Sequence, residues 1–146
     1  MNNWYECKVR YEKTDDTGAL KKTNESYLID AYSVTEAEAR LVEELAPFTS
    51  RGDLIVSSVK KEKIAELFLS DHEEDDKFFR CKVNFISLDE KRGVEKKMPA
   101  TMIVKSDSLS NAVLRLKKEM DESLSNYQIA SAVETNIMDV LTTPLS

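Results

Sequence analysis

From Trp4 to Tyr11 the chain alternates: Tyr5, Cys7, Val9 and Tyr11 fall on one side of an extended backbone, and Trp4, Glu6, Lys8 and Arg10 on the other. This period of two predicts a half-buried strand. The polar stretch from Lys13 to Lys22, with Gly18 inside it, reads as a hairpin loop, and Tyr27-Leu28-Ile29 centres a strand that returns antiparallel. The period then changes. Val34, Ala37, Leu41, Leu45 and Phe48 recur at helical spacing behind Ser33 and Glu36, a capping box, until Pro47 and Ser50-Arg51-Gly52 end the pattern. Leu54 to Val59 predicts a further strand, and Ile64 to Leu69 either another strand or a helix.

The whole series then returns. Trp4-Tyr5-Glu6-Cys7-Lys8-Val9 is echoed 74 positions later by Phe78-Phe79-Arg80-Cys81-Lys82-Val83, with Phe79, Cys81, Val83 and Phe85 on the inner face. Gly18 meets Gly93, Leu28 and Ile29 meet Ile103 and Val104, and Ser33 meets Ser108. Ala37, Arg40, Leu41 and Glu44 meet Ala112, Arg115, Leu116 and Glu119, while Ile55, Val59 and Leu67 meet Ile129, Val133 and Leu141. The length changes between the copies fall in loops, where few backbone hydrogen bonds are at stake. Ser108 caps the second helix, with stripe Leu109, Ala112, Leu116 and Met120, but Asn111 stands where the box wants Glu or Gln, so a weaker cap is expected.

The predicted fold is α+β: two tandem β-β-α-β(β) repeats related by a pseudo-two-fold, each an antiparallel sheet with one helix packed on its inner face. At 146 residues the chain forms a single globular domain built from repeats 3–70 and 77–142, joined by the acidic linker 71–76, Asp71-His72-Glu73-Glu74-Asp75-Asp76. A unit of about 70 residues is marginal alone, and joining the two sheets would cover exposed edges.

A net charge of -6 with 33% charged residues supplies no general attraction for nucleic acid or anionic lipid, so any partner surface is local. No apolar run approaches the length of a membrane span, and Met1-Asn2-Asn3 lacks the blocks of a signal peptide; a cytoplasmic protein without membrane contact is expected. Cys7 and Cys81, at equivalent strand positions, are read as thiols packed like small hydrophobes, with a disulfide across the pseudo-axis as the alternative.

Candidate chemistry is sparse. Three glycines, at 18, 52 and 93, provide no phosphate cradle and no dinucleotide fingerprint, and no cofactor is expected. His72, the sole histidine, lies in the acidic linker and not on the strands predicted to carry Cys7 and Cys81. That linker lacks the glycine and ligand spacing of a calcium loop and reads as solvated. The paired acids Asp15-Asp16 and Asp89-Glu90 suit general acid and base work but are commoner as turn formers. The runs Glu36 to Glu44 and Arg115 to Glu122 read as solvated helix faces.

The outer strand faces are more suggestive. Trp4, Lys8 and Arg10, with Phe78, Arg80 and Lys82 in the second copy, place an aromatic beside basic residues on the side away from the helices. Such combinations hold single-stranded nucleic acid by stacking and phosphate neutralisation. The competing reading is a contact surface for a protein partner or a homo-oligomer. With no catalytic constellation visible, the leading expectation is a non-catalytic binding or assembly protein of unknown ligand, and single-stranded nucleic-acid binding is the alternative.

The Trp-Tyr-Glu-Cys-Lys-Val start resembles a small family of unknown function from gut bacteria and their phages and mobile elements. The likeness continues through Tyr27-Leu28-Ile29-Asp30-Ala31, Thr35 to Arg40, Cys81-Lys82-Val83 with Glu95-Lys96-Lys97, and Glu134 to Val140. It covers nearly the whole chain and implies no assigned activity; the mobile-element setting it implies favours nucleic-acid metabolism or host interaction by association alone.

Overall fold

Strand β1, Asn3–Thr14, buries Tyr5, Cys7, Val9 and Tyr11 on one face, as the alternation requires. The computed structural model describes residues 3–14, 16–48 and 54–142. Asp15, the Ser50-Arg51-Gly52 stop signal and the side chain of Phe48 lie outside the described residues. β1 turns at Gly18, whose φ of +84° is a left-handed conformation that glycine adopts without strain, into the antiparallel strand β2, Leu20–Ala31. Helix α1, Val34–Leu45, follows, and a single 3-10 turn, Ala46–Phe48, ends it at Pro47. Ser33 caps α1 by accepting from the Glu36 amide at 3.1 Å. Strand β3, Ile55–Glu62, then pairs antiparallel with the other edge of β1, with a register shift at Lys8/Val9.

The next strand is short. β4, Glu66–Phe68, settles the ambiguity over Ile64 to Leu69 in favour of strand. It is followed by β5, Lys77–Asp89; β6, Val94–Ser106; α2, Leu109–Glu122; β7, Tyr127–Glu134; and β8, Ile137–Leu141. β5 and β6 pair antiparallel through a turn at Gly93, and β7 pairs antiparallel with β5, with a register shift at Lys82/Val83. Ser108 caps α2 through the Asn111 amide at 3.2 Å. The Asn111 side chain, in place of a capping-box carboxylate, donates to Asp107 Oδ1 at 2.8 Å.

The chain thus forms a mixed α+β structure with two four-stranded sheets, ordered β3-β1-β2-β8 and β4-β6-β5-β7. Two corrections to the expected architecture follow. The sheets are not purely antiparallel, because β8 lies parallel to β2 and β4 lies parallel to β6. The compact units are also not the sequence halves. One comprises residues 1–63 and 136–146, the other 64–135, so the acidic stretch 71–76 lies inside the second unit and does not separate the two. The reason is that the fourth strand of each sequence half joins the sheet that contains the other half's second strand, covering an edge that would otherwise be free.

In the first unit α1 packs on β1, β2 and β3, and the core is Tyr5, Cys7, Val9, Tyr11, Tyr27, Ile29, Ala31, Ala37, Leu41 and Leu45, with Leu54, Val56, Val59 and Leu141 against it. In the second unit α2 packs on β6 and β7, over Phe79, Cys81, Val83, Met102, Val104, Ala112, Leu116 and Met120. The helix stripes begin later than expected: Val34 and Leu109 are exposed. Arg40 and Arg115, read from sequence as part of solvated helix faces, are half-buried and bind backbone carbonyls, because strand ends beneath each helix offer acceptors. Both cysteines are free and fully buried.

Candidate functional site: an acidic cavity in the first unit

β2 runs with five consecutive buried residues, Glu25 to Ile29. One of them is a carboxylate. Glu25 is only 9% exposed and lies on the helix-facing side of the sheet, opposite Val9 in the β1 register. Burial without partners would be costly for such a group. Two phenols supply them: Tyr11 Oη donates to Glu25 Oε1, and Tyr27 Oη donates to the same oxygen at 3.3 Å.

These three side chains line a cavity of 380 Å³, completed by Glu44 and Leu45 from the end of α1 and by Met138, Asp139 and Leu141 from β8. The register brings Asp139 beside Tyr27. The cavity therefore holds three carboxylates, two phenols and an apolar wall, and among the described residues its lining contains no Lys, Arg or His. Loss of water and the bond to Glu25 push the Tyr11 hydroxyl up to about 12. Tyr27 is raised further, chiefly by burial and then by the charge of Glu25, with Asp139 adding to it. Both phenols accordingly remain protonated donors across the physiological range.

The second unit is different at the matching places. Cys7 faces Tyr27 across the first hairpin and Cys81 faces Met102 across the second; Val9 faces Glu25, and Val83 faces Ala100. Counting from the same cysteines, Tyr11 corresponds to Phe85. Met102 belongs to the apolar core of the second unit, and Phe85 and Ala100, partly buried, pack against it. Sheet-and-helix packing thus does not require a polar trio at these positions.

The outer-face residues proposed from sequence fare unequally. Lys8 and Arg10 are exposed, Arg10 bonding Asn24 Oδ1 at 3.3 Å, and Trp4 is half-buried. In the second unit Lys82 is exposed and Arg80 half-buried, but Phe78 is only 1% exposed, with Lys105 Nζ 5.5 Å from its ring centroid. Phe78 is therefore not a stacking platform on the surface. Alternation assigned it correctly to the face away from α2, but that face is buried at Phe78 and Ile103, as is the corresponding face at Leu28.

Other candidates make local hydrogen bonds. Asp89 accepts the Lys91 amide at 3.1 Å and the Arg92 amide at 3.4 Å, the work of a turn former. In the acidic stretch, Ser70 Oγ bonds Asp75 Oδ2 at 2.5 Å and accepts the His72 amide at 3.2 Å. Among the described residues no three His, Cys, Asp or Glu side chains gather as a metal site, and no helix is long and apolar enough to cross a membrane. Sequence reasoning did not pick out Glu25, Tyr27, Glu44 or Asp139. The usable signal was a failure of the echo, where Tyr11, Glu25 and Tyr27 meet Phe85, Ala100 and Met102.

Fold and cavity together define a small α+β protein of two sheet-and-helix units, one with an acidic, tyrosine-lined recess. Across residues 3–143 the chain matches the family described as Domain of unknown function (DUF4494), and it belongs to that family. Neither curated proteins nor solved structures give a match.

Proposed function

We propose that this chain is a non-catalytic binding protein whose ligand site is the cavity around Glu25, built on a duplicated scaffold in which only the first unit has acquired polar chemistry. The carrying observation is the replacement of Phe85, Ala100 and Met102 by Tyr11, Glu25 and Tyr27 at matching register positions. Duplication is supported by the repeated element order, the matching caps at Ser33 and Ser108, and the register shifts at Lys8/Val9 and Lys82/Val83. Absence of turnover is part of the proposal. Both cysteines are buried and raised to about 11, which disfavours a thiolate nucleophile, and the two phenols are too weakly acidic to shuttle protons near neutrality.

The test is a thermal-shift screen of the purified chain against a broad small-molecule panel, repeated with Glu25→Ala. Binding lost in the variant supports the reading. No ligand in the panel, or a turnover that depends on Glu25, overturns it.

A second reading, single-stranded nucleic-acid binding, is favoured by the exposure of Lys8, Arg10 and Lys82 and by the mobile-element setting that the family resemblance implies. The buried Phe78 leaves half-buried Trp4 to supply the stacking. As the sole tryptophan, Trp4 reports directly: oligonucleotides quench its fluorescence at low salt under this reading, and an unchanged spectrum ends it.

A further inference from the structure

We infer that the ligand of the Glu25 cavity is a small aliphatic amine with a primary ammonium group and more than one positive charge, an inference that rests on this cavity being the binding site. Three independent features of the first unit point the same way. The first is charge: Glu25, Glu44 and Asp139 line the recess, and among the described residues no cationic side chain does. Glu25 is nine-tenths buried, and the bonds made to it by Tyr11 and Tyr27 both go to Oε1. Among the described residues these are its side-chain donors, so a carboxylate with about four acceptor sites keeps capacity at a buried position, where a charged donor gains most.

The second is the helix end. Glu44 and Leu45 belong to the last turn of α1, which contains no basic residue, so that turn itself does not offset the negative end of the helix dipole. A cation seated beside that turn is favoured by the negative end of the helix dipole as well as by the carboxylates.

The third is shape. A volume of 380 Å³ sits near the lower end of small-molecule sites, roughly 300 to 1,000 Å³, and Leu45, Met138 and Leu141 give it an apolar wall suited to methylene groups. The charges are graded in depth: Glu25 is buried, whereas Glu44 and Asp139 are exposed. A linear amine with separated charges matches that gradient, one ammonium on Glu25 and another toward the exposed carboxylates. A quaternary ammonium has no N–H to offer Glu25, and both tyrosine hydroxyls are committed to that carboxylate, so the site favours a hydrogen-bonding cation.

Isothermal titration calorimetry on the full chain distinguishes the cases, using 1,5-diaminopentane, 1,5-pentanediol, glutarate and tetramethylammonium as probes. The expected result is binding of the diamine, with the diol, the dicarboxylate and the quaternary ion weaker by about tenfold or more. Glu25→Gln, which keeps shape but removes charge, weakens the diamine by a similar factor. Asp139→Asn and Glu44→Gln, both at exposed positions, weaken it by a few-fold and carry the test if Glu25→Gln does not fold. Diol or glutarate binding as well as the diamine, with sensitivity to Glu25, overturns the amine assignment but leaves the cavity as a binding site. Preference for tetramethylammonium overturns the primary-amine assignment alone. Diamine binding indifferent to all three substitutions, or no binding of any probe or of any compound in the broad panel, overturns the amine and the cavity together.

Discussion

Arg115 donates from Nη2 to the carbonyl oxygen of Leu69 at 2.5 Å, joining helix α2 to a residue 46 positions earlier in the chain. Its Nη1 donates to the carbonyls of Phe68 and Lys105, each at 3.2 Å, so one guanidinium ties the end of β4 to the end of β6. In the other unit Arg40 does the same work, donating to the carbonyl of Asp30 near the end of β2 and to that of Thr142, just beyond β8, at 2.7 Å. Short parallel edge strands have few ladder bonds of their own, and the planar fork of Arg serves two strands at once.

Arg115→Met is therefore expected to cost about 2 to 4 kcal/mol, since it leaves carbonyls without a charged donor. Arg115→Lys recovers little of this, because a point charge on a flexible stem does not reproduce the fork. Urea unfolding gives the magnitude, and hydrogen exchange gives the location: amides of Glu66 to Phe68 lose protection first. Equal midpoints for Met, Lys and wild type would show that the fork does not hold the strand.

The crossing that these arginines secure was not legible in the sequence. β1, β2 and the helices were, because long alternating runs and side-chain caps encode their own local solution, as at Tyr5 to Tyr11 and Ser33. Glu66-Leu67-Phe68 contains nothing that selects an edge; its partner is chosen by which strand lacks one. The site shows the same divide. Alternation fixes the side on which Phe78 lies but not whether that side meets water, and Glu25 in a buried row is visible only against Ala100 at the matching register position of the second unit.

For the polar trio, removing one member is expected to be worse than removing all three. Glu25→Ala leaves the Tyr11 and Tyr27 hydroxyls without their acceptor and costs about 1 to 3 kcal/mol. Replacing the set by its second-unit counterpart, Tyr11→Phe with Glu25→Ala and Tyr27→Met, restores much of that stability by removing the unmet donors along with the acceptor. The comparison is by denaturant midpoint. A triple variant less stable than Glu25→Ala would mean that the trio supports the fold and is no specialised addition to it.

The thiols give a pH prediction. Cys7 is raised from 9.0 to about 11 by burial, with the charges of Glu38 and Glu6 adding to it, and Cys81 is raised to about 11 by burial alone. With the folded value above the unfolded one, the stabilisation is complete below pH 9 and is lost as pH rises from 9 toward 11, on the order of 2 kcal/mol per thiol. Tyr11, raised from 10.0 to about 12, extends the loss in the same direction. Urea midpoints at pH 7, 9 and 11 should fall in that order. At pH 8 a thiol-reactive disulfide reagent should label neither cysteine in the native protein and both in denaturant; rapid native labelling would contradict their burial.

The turn after α2 stores strain that a single substitution should release. Leu124 follows the C-cap Ser123, has φ of +59°, and is 96% exposed, so its side chain returns no packing for the left-handed backbone it occupies. For an L residue that conformation costs roughly 1 to 2 kcal/mol, which glycine avoids, although glycine gives back part of the gain by enlarging the unfolded ensemble by about 0.5 to 1 kcal/mol. Leu124→Gly is accordingly expected to stabilise the chain by about 0.5 to 1 kcal/mol. Leu124→Ala keeps the Cβ and with it the strain, so it separates the backbone effect from the loss of an exposed apolar side chain. A urea midpoint raised by Gly and unmoved by Ala supports the left-handed assignment. A fall with Gly, or an equal rise with both, shows that Leu124 is not strained or that its exposure, and not its backbone, sets the balance.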